Sequence, residues 1–174
     1  MVWDILLSPH WSVRTPLALL VAVAAGVLAV CVYGAAVAWA ARLLGDDYPV
    51  RQGRGSLNPR EQYDPIGSTA VVLFGWGWAK PVAVHKGYLR SPRRDAILSA
   101  LAGPAAVIGL GALLCVGARF AVPLSTAGAS ALAMLAFVPM MLGFFSLLPL
   151  PPLAGKTLLS ELLPREAASA YDRF

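Results

Sequence analysis

Thr15–Ala41 reads TPLALLVAVAAGVLAVCVYGAAVAWAA, without one charged side chain. A helix needs about 20 apolar residues to cross a bilayer, and this run exceeds that. Two further stretches share the property: Ala96 to Ala118 and Ala121 to Gly155 carry no charge. The chain has 174 residues, of which 58% are hydrophobic and 13% charged. A soluble domain of this size cannot hide so much apolar surface. These observations predict an all-α integral membrane protein: three long transmembrane helices with a re-entrant or short fourth segment. The first apolar run is longer than a signal core of roughly 7–15 residues, so it is expected to stay as an anchor.

The predicted organisation is one membrane domain over 1–174. A transmembrane helix covers 15–44 and a cytoplasmic loop 45–65. A short apolar or re-entrant segment covers 66–84. Transmembrane helices follow at 96–118 and 124–148, and a Pro-rich end and tail at 149–174. Before the first helix, Trp3 and Trp11 suit the headgroup level of a membrane.

Small residues mark packing faces. Gly26, Ala29, Gly34, Ala38 and Ala41 lie along the first helix, and Ala100, Gly103, Ala106 and Gly109 along the second. In lipid such faces let helices approach closely. Between the helices, Ile66 to Ala79 is apolar but short for a span. Gly67, Gly75 and Gly77 favour a broken backbone, with Trp76 and Trp78 as interface anchors. Val82-Ala83-Val84 is expected to pair as a short strand. Ser91-Pro92 reads as a cap followed by the first helical residue. Pro139 is expected to kink the third long helix, and Pro149, Pro151 and Pro152 to end it. Glu161 to Arg173 reads as an amphipathic tail.

The net charge of +5 does not imply nucleic acid, because of how the cations are distributed. Nine lie between the first and second long runs: Arg42, Arg51, Arg54, Arg60, Lys80, Lys86, Arg90, Arg93 and Arg94. Lys156, Arg165 and Arg173 follow the third run. Only Arg14 and Arg119 lie on the other side. Positive charge retained in the cytoplasm explains this pattern. It places the N-terminus outside and the C-terminus inside a bacterial cytoplasmic membrane. The expected partners are the lipid bilayer and a membrane-protein partner or transmembrane peptide, with no nucleic acid. The basic stretch Arg90 to Arg94 suits anionic headgroups.

A set of motifs recurs in order: Leu44-Gly45-Asp46, Gly53-Arg54, Leu57-Asn58-Pro59, Asp64-Pro65-Ile66-Gly67, Gly77-Trp78-Ala79-Lys80-Pro81-Val82, Leu101-Ala102-Gly103-Pro104 and Leu148-Pro149-Leu150-Pro151-Pro152-Leu153-Ala154-Gly155. In this order and spacing the chain resembles the site-2 protease family, from about Val30 to Leu163. The resemblance implies a site-2 protease-like helical core. It also implies zinc held by a His-Glu-x-x-His helix and a distant Asp. The chemistry is general: two His at i and i+4 share one helix face and one metal, and the Glu is the base for metal-bound water.

Aligned on Leu44-Gly45-Asp46, the first His falls on Tyr33, the Glu on Gly34 and the second His on Val37. The distant Asp falls on Ala154. Gln62 replaces an accessory His and Val107 an accessory Asn. The chain holds two His and two Cys: His10, His85, Cys31 and Cys115. None is spaced to rebuild a zinc site. The expectation is therefore a degenerate, non-catalytic member without a metal cofactor, one that binds a membrane segment or partner subunit uncut. The cleft or structural motif residues would be Gln62, Asp64, Trp78, Lys80, Pro81, Gly103, Pro104, Pro151, Pro152 and Gly155. Asp46, Asp47 and Asp64 read as caps and turn formers. Two alternatives stand: an active intramembrane zinc protease with unconventional ligands, and a structural membrane subunit or carrier. The lack of intramembrane charge speaks against an ion path.

Overall fold

The computed structural model describes residues 14–121, 126–164, 167–168 and 171. Trp3, His10, Trp11, the expected start of the third long helix at 124–125, and Arg165 and Arg173 of the tail lie outside the described residues. All regular structure among the described residues is helical. The order is α1 (Arg14–Leu43), α2 (Tyr48–Arg51), α3 (Pro59–Gln62), α4 (Gly67–Phe74), a 3-10 turn (Lys86–Tyr88), α5 (Pro92–Ala121), α6 (Thr126–Ser146) and α7 (Ala154–Leu162).

α1, α5 and α6 pack pairwise as a three-helix core, with α4 against α1 and α7 against α5. The small face of α1 is buried: Ala22, Ala25, Ala29, Ala38 and Ala41. Spacings of three and four keep such residues on one face. Val71 of α4 and Val138 and Leu142 of α6 complete the cluster around Ala25, Ala29 and Val30. α5 and α6 meet at glycine on both sides. A Cβ at Gly111 would lie 2.3 Å from Met140 Cγ, and one at Gly143 would lie 2.5 Å from Ile108 Cγ1. The two backbones thus approach as closely as small-residue contacts in lipid permit.

Two described helices are long and apolar enough to cross a membrane, over Leu20–Leu43 and Pro92–Ala121. The apolar described stretch of α6, Ala131–Ser146, is shorter. α5 begins at Pro92, earlier than the expected 96, and runs through Pro104 to Ala121. α6 ends at Ser146 and stays helical through the buried Pro139. Outward faces are strongly apolar: Leu113 is 69% exposed and Phe120 75%. A patch of this kind marks a surface that meets lipid or protein rather than water.

Two expectations for the connecting regions are corrected. The loop 45–65 holds two one-turn helices, α2 and α3. Asn58 caps α3, its Oδ1 accepting from Arg60 N at 3.2 Å, and Pro59 takes the first helical position. Val82–Val84 forms no strand among the described residues. Around it, the His85 N–H donates at 2.7 Å to the Asp46 carboxylate, and the Lys80 N–H at 3.3 Å to Gln62 O. The segment is extended, but side-chain and loop acceptors hold it instead of a neighbouring strand.

The short apolar segment doubles back on itself. Asp64 caps α4, its Oδ1 accepting from Ile66 N at 3.0 Å and Gly67 N at 2.7 Å. α4 ends at Gly75 with φ of 80°, and Gly77 at φ 155° turns the chain back along it. The Trp78 indole then lies on Gly67, where a Cβ would meet the ring at 2.3 Å.

Candidate ligand cavity

The first turn after α1 anchors the region. Asp46 is fully buried. Its Oδ1 accepts from Tyr48 N at 3.0 Å and its Oδ2 from His85 N at 2.7 Å. The His85 Nδ1 lies 3.8 Å from the same carboxylate. Asp46 therefore joins the end of α1 to the extended segment 82–85. A buried carboxylate with two N–H donors is satisfied as an acceptor.

Arg54 makes a second join. Its guanidinium donates to Glu61 O, to Lys80 O and, at 3.5 Å, to Pro81 O. Only 5% of the residue is exposed. Burial pulls the Arg54 pKa below its ordinary value, opposed by the charge of Glu61. Gln62 lies beneath it, wholly buried, with Nε2 donating to Arg54 O at 2.6 Å and Ser56 O at 2.9 Å.

These joins hold the returning segment, which lines one side of a cavity of about 320 Å³. α1 supplies Tyr33 and Val37, one helical turn apart. α5 supplies Ala96 and Ala100, and α6 ends at Ser146. Trp78, Pro81, Val82, Val84 and Lys86 come from the returning segment. Pro152, Leu153, Ala154, Lys156, Thr157 and Ser160 close it from α7 and the turn before it. The Ser146 hydroxyl donates to Gly143 O at 2.7 Å.

Three of the positions singled out by alignment, Tyr33, Val37 and Ala154, thus converge on this one cavity, although Ala154 is far from the others in sequence. Trp78, Pro81 and Pro152 line it too. Gly34 does not. It faces the α2–α3 loop, where a Cβ would lie 1.9 Å from Gln62 Oε1. Gly103 is buried beneath the Tyr33 ring, with a Cβ there 2.8 Å from Tyr33 Cζ. Val107 is buried beside Gly143. Pro104 is buried in α5. Lys80 is exposed and contributes only its backbone. Asp64 serves as the cap of α4. Pro151 is exposed next to Pro152, and Gly155 sits where a Cβ would be 2.2 Å from Leu147 O.

Sequence reasoning did not select Ser146, Thr157 or Ser160. Lys156 and Ser160 stand four apart, the spacing of one helix face, but the packing of α7 against α5 carries no sequence signal.

A zinc ion does not fit these side chains. Zinc is bound by Cys, His, Asp or Glu. The cavity lining offers a phenol, an indole, aliphatic side chains, hydroxyls and two ammonium groups. Among the described residues no group of three or more His, Cys, Asp and Glu could hold a metal. His85 pairs with Asp46 outside the lining, Cys31 is buried in α1, and Cys115 is exposed on α5.

No family model matches the chain, and no solved structure matches it. The chain is similar to a protein of Bacillus subtilis (strain 168) described as "Putative zinc metalloprotease YwhC". The two are 33% identical over 135 residues. The match covers 73% of this chain and 62% of that relative, so the chain spans less than two thirds of the relative's length. This likeness supports the site-2 protease-like relationship that the motifs imply.

Proposed function

We propose that this chain is a membrane-embedded, site-2 protease-like protein that does not hydrolyse peptides. It holds a membrane segment of a partner in the cavity between α1, α5 and α7. The observation that carries this reading is the convergence of Tyr33, Val37 and Ala154 on one cavity that lacks a zinc donor set. A protease of this kind needs a metal-bound water and a base beside it. With an aliphatic side chain at two of these positions and glycine at 34, neither can be assembled. The cavity itself persists, with an apolar floor and hydroxyls suited to a backbone that has left its helix.

The membrane placement rests on the two long apolar helices and the exposed apolar faces of α5 and α6. α6 serves as the third crossing. Segment 66–79 enters and leaves on one side, since Lys80 N donates to Gln62 O. That arrangement keeps the cations from Arg42 to Arg94 in the cytoplasm, with the N-terminus outside.

The experiment is photo-crosslinking in intact cells from a benzophenone amino acid at Ala100, which lines the cavity. Capture of an uncut membrane protein supports the proposal. Recovery of a partner cut within its membrane segment, blocked by a chelator, would establish the second reading, an active zinc protease. That reading takes up the description of the Bacillus subtilis relative.

A further inference from the structure

We infer that the cavity recognises a carboxylate on the segment it holds, and that Lys156 is the residue that reads it. This rests on the segment-binding function proposed above. Two ammonium groups reach the cavity, Lys86 and Lys156, and no carboxylate lines it. They are not equivalent. Lys86 is paired with Glu161, which is nearly buried, so its charge is already compensated. Lys156 has no carboxylate partner among the described residues. Its described contact is the ring of Tyr171, 5.9 Å from Nζ, at the outer limit of a cation–π interaction.

Its position adds to the charge instead of offsetting it. Lys156 stands in the first turn of α7 (Ala154–Leu162), where the helix carries a partial positive charge and an acid, not a base, is stabilised. Ammonium and helix end therefore point the same sign of potential into one half-buried space. Thr157, beside it, adds a hydroxyl to the same lining. An anion entering there meets a cation that no described carboxylate neutralises.

The ligand chemistry follows from the surroundings. The rest of the lining is largely apolar, with Val37, Ala96 and Val82, and the other ammonium, Lys86, is already paired with Glu161. A single ammonium suits a single carboxylate. An Asp or Glu in a membrane segment is costly unless it finds a partner. The cavity would select segments that carry one acidic residue near the cytoplasmic end over those that are apolar throughout.

The test uses the full chain, with a benzophenone amino acid at Val82, in phosphatidylcholine vesicles. The probes are synthetic Leu-Ala transmembrane peptides carrying a single Asp, Asn or Lys at the cytoplasmic end. The Asp peptide is expected to crosslink roughly tenfold more than the Asn peptide, the scale of a charge-assisted hydrogen bond over a neutral one. Lys156→Gln should make the two equal, Lys156→Arg should keep the preference, and Lys156→Glu should transfer it to the Lys peptide. Thermal melting in detergent verifies that each variant is folded. Equal capture of Asp and Asn peptides by the unmutated chain overturns the carboxylate assignment and leaves segment binding standing. No capture of any peptide overturns segment binding itself, and the carboxylate assignment with it. Loss of the Asp preference when phosphatidylglycerol is added assigns the anion site to lipid phosphate and overturns the peptide carboxylate.

Discussion

The carboxamide of Gln62 rests on the bare Cα of Gly34, so closely that a Cβ there would meet Oε1 at 1.9 Å. The same oxygen is buried without a hydrogen-bond partner. Residue 34 is the position at which the family alignment expects the general base. Here its space is filled from the opposite side by the amide that replaces an accessory histidine. The two departures from the motif are one packing arrangement.

Gly34→Ala and Gly34→Glu should therefore destabilise the protein. Helix propensity alone favours either by up to about 1 kcal/mol, but overpacking a filled site costs roughly 1–3 kcal/mol. Gln62 cannot simply rotate away, because its Nε2 donates to Arg54 O and Ser56 O. Gln62→Ala alone should cost about 1–3 kcal/mol by leaving those carbonyls unpaired. The pair Gly34→Glu with Gln62→Ala should cost less than the sum of the two. Thermal unfolding in detergent over the double-mutant cycle measures this, and strict additivity would show that the two side chains do not compete.

The metal prediction follows from the same geometry. Purified without chelator, the unmutated chain should carry no stoichiometric zinc by elemental analysis. Tyr33→His, Val37→His and Ala154→Asp together should introduce zinc binding, because the three positions line one cavity and three convergent ligands suffice for a site with one open position. Adding Gly34→Glu should lower the yield of folded protein unless Gln62 is also shortened. A folded triple variant that binds no zinc would show that the side chains do not converge.

Much of this was legible in the sequence, and the boundary is physical. Charge-free runs located α1, α5 and α6, because the cost of burying charge in lipid acts on each residue separately. Tyr33, Val37 and Ala154 were singled out by the family resemblance, through alignment on Leu44-Gly45-Asp46 and the Pro-Pro-Leu-x-Gly context. The fit of Gln62 to Gly34, the Arg54 clip and the approach of α7 were not legible. Each depends on contacts between segments distant in the chain. Asn58-Pro59 did carry a local signal, a cap followed by proline at the first helical position, within a region expected to be loop. Val82–Val84 has the β-branched alternation of a strand but no partner strand among the described residues, and it is the flanking His85 and Lys80 N–H groups that bond, to Asp46 and Gln62.

Topology can be read at Gly87, where an added Cβ meets nothing within 4 Å. Gly87→Cys, with Cys31 and Cys115 replaced by Ala, should resist an impermeant maleimide added to intact cells. The same reagent should label it in inverted vesicles. The charge distribution requires this result. Labelling in intact cells would place the segment 80–94 outside and turn 66–79 into a crossing.

The last prediction concerns Arg54, which holds the returning segment to the loop before it. Its guanidinium donates to Glu61 O on one side and to Lys80 O and Pro81 O on the other. Each bond joins a charge to a carbonyl, a class worth roughly 1.5–3 kcal/mol. The side chain is nearly buried, so removing the charge also leaves acceptors that water reaches poorly. Arg54→Met keeps much of the stem packing and isolates the hydrogen bonds, and it should cost about 2–4 kcal/mol. Arg54→Lys should recover only part, since one ammonium cannot span carbonyls that the planar fork reaches together. The loss should be local before it is global. Asp46 still holds His85, and the three-helix core does not involve Arg54. Limited proteolysis should therefore show earlier cleavage between Trp78 and Val84 in Arg54→Met, at detergent concentrations where α1, α5 and α6 remain protected. Cleavage at the helix ends first, with 78–84 still resistant, would show that the returning segment is held by the cavity wall and not by the arginine.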